Sequence, residues 1–492
     1  MSWDRLLPHS LAATKALRSR EDDDEVRNGA ERTLDFLTFA RIPTFRKLLA
    51  LMGSEGSSSL LYRLRDRLPI QTALVVSLQH VLAMFVGVIS VPLLVAKELK
   101  LSPSDTAYLI SMGLFASGLG TLVQVRGFGW FGSRLLAVQG TSFAFLTPLI
   151  QAGREGGIAL MVGMAIVCAP TELILAQFLV RLQRIFTPLV SGTVVLLIGL
   201  SLIPVGFHTM ASGLGGNVPS WAPLAVSGLV LLIVLALNAL NLPWSRVGAI
   251  PIALGVGYLV CLGIGAVPNQ PQTASSWIQV PAPLAYGFAF RPEFLIAFIL
   301  PYIITTLETV GDVTATSQLS DEPISGPIYW QRIRGGVMAD SLNSLIAGLL
   351  NSFPNTTFAQ NNGVIQLTGV ATRQVGYWVA AALCLLGLIP EFGRWIAVLP
   401  GPVLGAVTFL LFGFVATAGI RILQRVFLGH RELLIVALSL GTGVGVQSVP
   451  ELLDPLPPAL RLVFASGITT GGIFAFLLNA ILPGASPARL EP

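Results

Sequence analysis

Between Ile70 and Leu482 the chain is a series of apolar runs, and no other feature restricts its fold as strongly. About 20 apolar residues span the hydrocarbon core of a bilayer as a helix. No water is present there to satisfy a backbone N–H or C=O, so only helices and closed barrels cross. The first run covers 70–96. Others follow at 107–123, 135–151, 158–178, 188–206, 223–240, 248–267, 294–316, 336–350, 358–370, 376–389, 398–417, 432–448 and 461–482. They are continuous rather than alternating, which argues against a barrel. The expected fold is therefore an all-α membrane protein of fourteen segments, the shorter of which cannot span as full helices. Only 11% of residues are charged, against about a quarter in soluble proteins, and the mean hydropathy is +0.75. Both values exclude an ordinary soluble enzyme. The 50 glycines and 32 prolines fall within apolar runs, a pattern of close helix packing and broken helices.

Positive charge gives the orientation, because cytoplasmic loops are rich in Lys and Arg. Arg63, Arg65 and Arg67 precede the first segment. Arg126 and Arg134 follow the second, Arg181 and Arg184 the fourth, and Arg246 the sixth. Arg332 and Arg334 follow the eighth, Arg373 the tenth, and Arg421, Arg425 and Arg431 the twelfth. The other connections are poorer: 207–221 holds no Lys or Arg. An even number of spans is expected in the cell membrane, with both termini cytoplasmic. The net charge of +5 reads as topology, with no basic patch for nucleic acid. Residues 1–68 are polar, include the acidic run Glu21–Glu25 and lack a signal-peptide pattern. They read as a cytoplasmic extension, followed by a transporter domain at 69–483 and a short tail at 484–492. Cys168, Cys261 and Cys384 lie in apolar stretches without disulfide or zinc spacing, so no metal or cofactor is expected.

Two segments are interrupted by small and polar residues. One reads Gln139-Gly140-Thr141-Ser142-Phe143-Ala144-Phe145, and the other Asn355-Thr356-Thr357-Phe358-Ala359-Gln360-Asn361-Asn362-Gly363. They lie about 215 residues apart, in the third and tenth segments. Thr187-Pro188 and Gly401-Pro402 repeat the offset. Matched interruptions seven spans apart point to inverted-topology repeats, with a binding site where they meet.

Ionisable groups are costly in a bilayer, so each calls for a reason. Glu308 and Asp312 are four apart on one helical face of the eighth segment. Two close carboxylates repel at low dielectric, so one is expected to hold a proton, as a proton-coupled site requires. A solvated helix end is the bland alternative, but the polar loop Ser320-Asp321-Glu322 places that end later. Asp340 in the ninth segment either relays protons or braces the bundle, and both roles are open to an intramembrane acid. His80, after Gln79 at the opening of the first span, reads as a structural hydrogen-bonding residue before a proton relay. Gln360, Asn361 and Asn362 supply donors and acceptors, flanked by Phe358 and Gly363. A carboxylate, an amide and aromatic faces suit a planar heterocycle with alternating N–H and C=O groups. Phe143 stands as a second aromatic face. The amides' bland role is to cap the backbone of a broken helix.

A membrane enzyme would need a nucleophile with a base, or a metal cluster, and the four histidines are scattered. An anion carrier would present a cation or bare helix ends, whereas this locus is acidic and amide-rich. A channel would distribute polar residues along several spans.

Together these residues resemble the nucleobase–ascorbate transporter family. Its signature, Gln/Glu-Asn-x-Gly-x4-Thr followed by Gly, Arg or Lys, matches Gln360-Asn361-Asn362-Gly363-Val364-Ile365-Gln366-Leu367-Thr368-Gly369. Gln79-His80, Glu308 with Asp312, and Asp340 match three further motifs in order, and the resemblance runs from about residue 70 to about 482. It implies two inverted repeats of seven segments, core and gate domains, short strands in the third and tenth segments, a homodimer and elevator-type movement. It further implies that Glu308 and Gln360 bind a base through paired hydrogen bonds and that Phe143 stacks on it. Phe358 and Ala359 would add apolar and backbone contacts, with Gly87 close by. Asp312, Asp340, Asn361 and His80 would support the site or proton coupling. In similar proteins Gln at the first signature position accompanies xanthine and uric acid carriers, Glu uracil carriers and Pro ascorbate carriers. The expected activity is proton-coupled import of a purine base, xanthine or uric acid. Uracil or another nucleobase is the alternative cargo, and an anion transporter of the same general fold the alternative class.

Overall fold

The computed structural model describes residues 60–182, 187–214, 218–240, 243–267, 278–424 and 426–483. The expectations for the acidic run, for most of the N-terminal extension and for the tail at 484–492 lie outside the described residues.

The described residues are mostly helical. The first half holds α1 (Ile70–Glu98), α2 (Pro103–Arg126), β1 (Gln139–Thr141), α3 (Leu146–Cys168), α4 (Pro170–Leu182), α5 (Pro188–Met210), α6 (Ala222–Ala239) and α7 (Pro243–Gly263). The second holds α8 (Leu295–Leu319), α9 (Gly326–Leu349), β2 (Asn355–Thr357), α10 (Gln360–Thr368), α11 (Arg373–Leu388), α12 (Pro390–Ala397), α13 (Gly401–Leu423), α14 (His430–Ser448), α15 (Pro458–Phe464) and α16 (Gly467–Ile481). Local signals set several boundaries. Ser102 caps α2 by accepting the Asp105 N–H at 3.1 Å, with Pro103 at the first helical position. Thr187 caps α5 in the same way, again before a proline.

Among the described residues, seven helical stretches are long and apolar enough to cross a membrane, or eight if α11 and α12, bent by 77°, form one span. Length and composition alone thus give fewer spans than the fourteen expected. The physical reason lies in the segments themselves. Helix α10 has only 9 residues, α16 has 15, and α9 carries Arg332, Arg334 and Asp340. The expected third and fourth segments are joined through α3, which breaks at Gly157 with φ 64° and ψ −162°. A left-handed break of this kind needs a residue without Cβ. Two other boundaries move. Gln79 and His80 lie inside α1 rather than at its opening. Helix α9 starts well before residue 336, so Arg332 and Arg334 are helical, and Arg332 pairs with Glu322 at 2.7 Å.

Strands β1 and β2 pair antiparallel, with Gln139 opposite Thr357, Gly140 opposite Thr356 and Thr141 opposite Asn355. The ladder continues through Phe358 N–H to Val138 O at 3.0 Å and Ser142 N–H to Pro354 O at 2.9 Å. These bonds satisfy non-helical backbone inside the protein, the condition for having it at membrane depth. Helices α1, α2, α8 and α9 surround the pair. Helix α2 packs on α11 and α4 on α9, while α6 packs on α7 and α14 on α16. Helices α5 and α13 form the most extensive pair, at backbone contact: a Cβ on Gly199 would stand 2.3 Å from Ala416 N. Lipid tails are as apolar as Leu, so such close packing and interhelical hydrogen bonds, rather than the hydrophobic effect, hold these helices together.

Candidate substrate site

The site is built where both strands turn into helices. Strand β1 leads into a 3-10 turn at Phe143–Phe145 and then α3, and β2 leads into α10. Helix N-termini carry partial positive charge and free N–H groups. Helix α8 lies against β2, α10 and the Phe143 turn.

Asp340 is the most heavily bonded acid in this region. It is fully buried and accepts from four side chains: Gln124 at 2.9 Å, Gln139, Thr309, and Thr356 at 3.4 Å. Gln139 in turn accepts from Asn343 at 3.1 Å. Asp340 therefore ties α2, β1, α8, α9 and β2 together. A buried charge is tolerable when hydrogen bonds satisfy its oxygens, and this geometry favours the bracing alternative for Asp340.

Asp312 accepts a hydrogen bond from Thr357 Oγ1 of β2 at 3.0 Å. Its helix also holds α10: Thr316 donates to Asn362 Oδ1 at 2.6 Å, and Asn362 Nδ2 donates to Asp312 O at 3.4 Å. Asn361 donates to Leu136 O at 2.5 Å. His80 is fully buried and faces Asn361, but no hydrogen bond of normal geometry joins them. Phe358 is wedged in place, since a Cβ at Gly87 would stand 2.6 Å from its ring and one at Gly140 2.5 Å. Its ring fills the space between α1 and β1, and its backbone N–H extends the ladder. Phe143 is buried and meets Phe412 of α13 edge-on, with ring centroids 5.2 Å apart.

Against this bonded framework two side chains stand out. The Glu308 carboxylate and the Gln360 amide are half-buried, and neither makes a hydrogen bond among the described residues. Ala359 and Gly363 beside Gln360 are exposed. A cavity of about 290 Å³ borders Gln360 and Gly363 on one side and Ala83, Ile250 and Phe414 on the other. That volume is close to the roughly 300 Å³ at the lower end for small-molecule sites. Glu308 does not line it. A larger crevice of about 710 Å³ lies elsewhere, among Glu155, Arg291, Glu293 and Arg461, where Arg291 pairs with Glu155 at 2.9 Å. Among the described residues no cation comes within ion-pair distance of Glu308, Asp312 or Asp340, and no cluster could hold a metal ion.

Sequence reasoning missed Glu172. It lies in α4, fully buried, and accepts the Thr305 hydroxyl at 2.6 Å. An acid set in Ala169-Pro170-Thr171-Glu172-Leu173-Ile174 carried the same signal as Glu308. Gln124 and Thr309 had no such signal, being ordinary helical residues until Asp340 is placed between them.

The apolar helices, with two buried and two half-buried acids among them, describe a multi-pass membrane protein, and its relatives are permeases rather than enzymes. The permease family model matches residues 71–452. Xanthine permease XanP of Escherichia coli (strain K12) is 44% identical over 442 residues, covering 87% of this chain and 95% of that protein. Xanthine permease XanQ of the same strain is 42% identical over 448 residues, covering 88% and 95%. The chain therefore belongs to this permease family, the nucleobase–ascorbate transporters. Among solved structures, the transmembrane domain of the cyanobacterial bicarbonate transporter BicA is similar at a TM-score of 0.52 and 13% identity, covering 85% of this chain and 99% of that one. This second likeness concerns the fold alone.

Proposed function

We propose that this permease imports a purine nucleobase, xanthine or uric acid, in symport with protons. The observation that carries the reading is the pair of unpartnered groups, Glu308 and Gln360, in a region where Asp312, Asp340 and Asn362 all have partners. A carboxylate accepts two hydrogen bonds, and an amide gives one and takes one. Together they complement the N–H and C=O groups of an oxidised purine edge. Phe143, Ala359 and Gly87 would complete the contact surface with Phe358 beneath, while Asp312, Asp340, Asn361 and His80 would hold it. Two similar proteins being xanthine permeases supports the same cargo. Glu308 and Asp312, four apart on one face of α8, supply a pair of carboxyl groups able to carry a proton. Uracil or another nucleobase is the alternative cargo.

The matched packing of α2 on α11 with α4 on α9, and of α6 on α7 with α14 on α16, supports two inverted repeats of seven segments. On this reading a core of α1–α4 and α8–α12 moves against a gate of α5–α7 and α13–α16, in an elevator-type cycle. A homodimer in the cell membrane with cytoplasmic termini completes the proposal. An uptake panel tests it: radiolabelled xanthine competed by urate, hypoxanthine, guanine and uracil in cells expressing the chain. Saturable xanthine uptake, blocked by a protonophore, is the expected result. Uptake that depends on sodium and ignores both protonophore and external pH rejects the coupling.

A further inference from the structure

Beyond the substrate-facing acid, one intramembrane carboxyl is bonded quite differently from its neighbours. Glu172 has no solvent exposure. Its Oε1 accepts the hydroxyl of Thr305, and its Oε2 has no partner. Three elements pack against α4. Helix α9 presents Asp340 and Ser341, whose hydroxyl donates to Ala169 O at 2.9 Å. Helix α8 presents Tyr302, Thr305 and Glu308, and α3 ends on Cys168. The titratable groups facing Glu172 are thus Asp340, Glu308, Tyr302 and, through Tyr302, Cys168. None is a cation. Arg334 lies at the outer end of the same packing, bonded to Gln177.

An ionised carboxylate at such a depth needs donors on both oxygens, as Asp340 has. With one donor and a bare oxygen, the low-energy form of Glu172 in this conformation is the neutral acid. Thr305 and Thr309 are four apart on α8 and donate to Glu172 and Asp340 respectively, so one helix face touches both acids, with Glu308 between them in sequence. We propose that Glu172 is a further proton-holding residue of the transport cycle, loaded on Oε2 while Oε1 keeps the Thr305 bond. Proton release leaves a carboxylate with an unsatisfied oxygen, so it is favourable only when α4 and α8 shift to admit water. This inference rests on the proton-coupled reading above.

The test uses the full chain in proteoliposomes with radiolabelled xanthine. Two rates are compared: accumulation driven by an inward proton gradient, and counterflow exchange without a gradient. Glu172→Gln keeps an Oε1 acceptor for Thr305 and removes only the titrating proton. The expected result is at least a tenfold fall in the ratio of gradient-driven accumulation to exchange. Thr305→Val removes the hydrogen bond and keeps the acid, and its ratio should stay near that of the unmodified chain. An unmodified chain that responds to the gradient, with Glu172→Gln responding equally, overturns the inference alone. Equal loss in Glu172→Gln and Thr305→Val reduces Glu172 to a brace and overturns it as well. An unmodified chain that exchanges xanthine but ignores the gradient rejects proton coupling itself, and the inference with it. Should Glu172→Gln fail to insert, Glu172→Asp is read instead, which must retain a gradient response with a shifted pH profile. An unshifted profile overturns the proposal.

Discussion

The ring of Phe358 closes against the backbone of Gly87, where an added Cβ would stand 2.6 Å from Cε2. The first helix thereby meets the residue that follows the second strand, although 271 positions separate the two, from 87 to 358. Overpacking of this kind costs about 1–3 kcal/mol. Gly87→Ala is expected to lower the melting temperature of the detergent-purified protein and to weaken xanthine uptake. Combining it with Phe358→Leu should restore part of the stability. Additive losses in the double variant, measured by size-exclusion thermal stability, would show that the two residues do not press on each other.

Glu308→Gln removes the carboxylate and keeps its shape. A hydrogen bond to a charged group contributes about 1.5–3 kcal/mol, so affinity should fall roughly ten- to hundredfold. Uptake near the wild-type KM is expected to drop to background while membrane insertion, followed by blotting, stays intact. Normal xanthine uptake in this variant would remove Glu308 from the site.

Gln360→Glu tests the amide. It replaces a group that both donates and accepts with one that only accepts. The ranking of competitors in the uptake panel should change, with uracil gaining on the purines. An unaltered ranking means that Gln360 does not meet the ligand.

Asp340→Asn has a different signature. The new amide would point donors at a position already crowded by Gln124, Gln139, Thr309 and Thr356. Each donor left unpaired costs about 1–3 kcal/mol. This variant is expected to lose thermal stability without ligand present, whereas Glu308→Gln should not. Equal melting temperatures for the two would contradict the bracing role.

What could be read in the sequence follows from how local each signal is. Apolar runs report on their own segment, and so did the acids at 308, 312 and 340 and the polar interruptions at 139–145 and 355–363. Span counting was weaker because α10 and α16 are short and because Gly157 breaks a helix that hydropathy reads as two runs. Side-chain networks are not local. Gln139 meets Asp340 across 201 positions, and Thr305 meets Glu172 across 133. Nothing in either residue's neighbourhood names its partner. Glu172 is a different case, since its cost in an apolar run was visible and only its partner was not.

The three-residue ladder between β1 and β2 joins segments from opposite halves of the chain, with α1, α2, α8 and α9 around it. To separate the two strands would strand their backbone groups in a medium that offers no replacement partner. The two strand-to-helix turns of the candidate site, at Phe143 and at Gln360, are therefore carried on one cassette, while Ile250 and Phe414 face it from other helices. On the elevator-type cycle proposed above, a cargo held at those turns would change sides of the membrane with them, and release would depend on whether the facing wall of Ile250 and Phe414 still covers it.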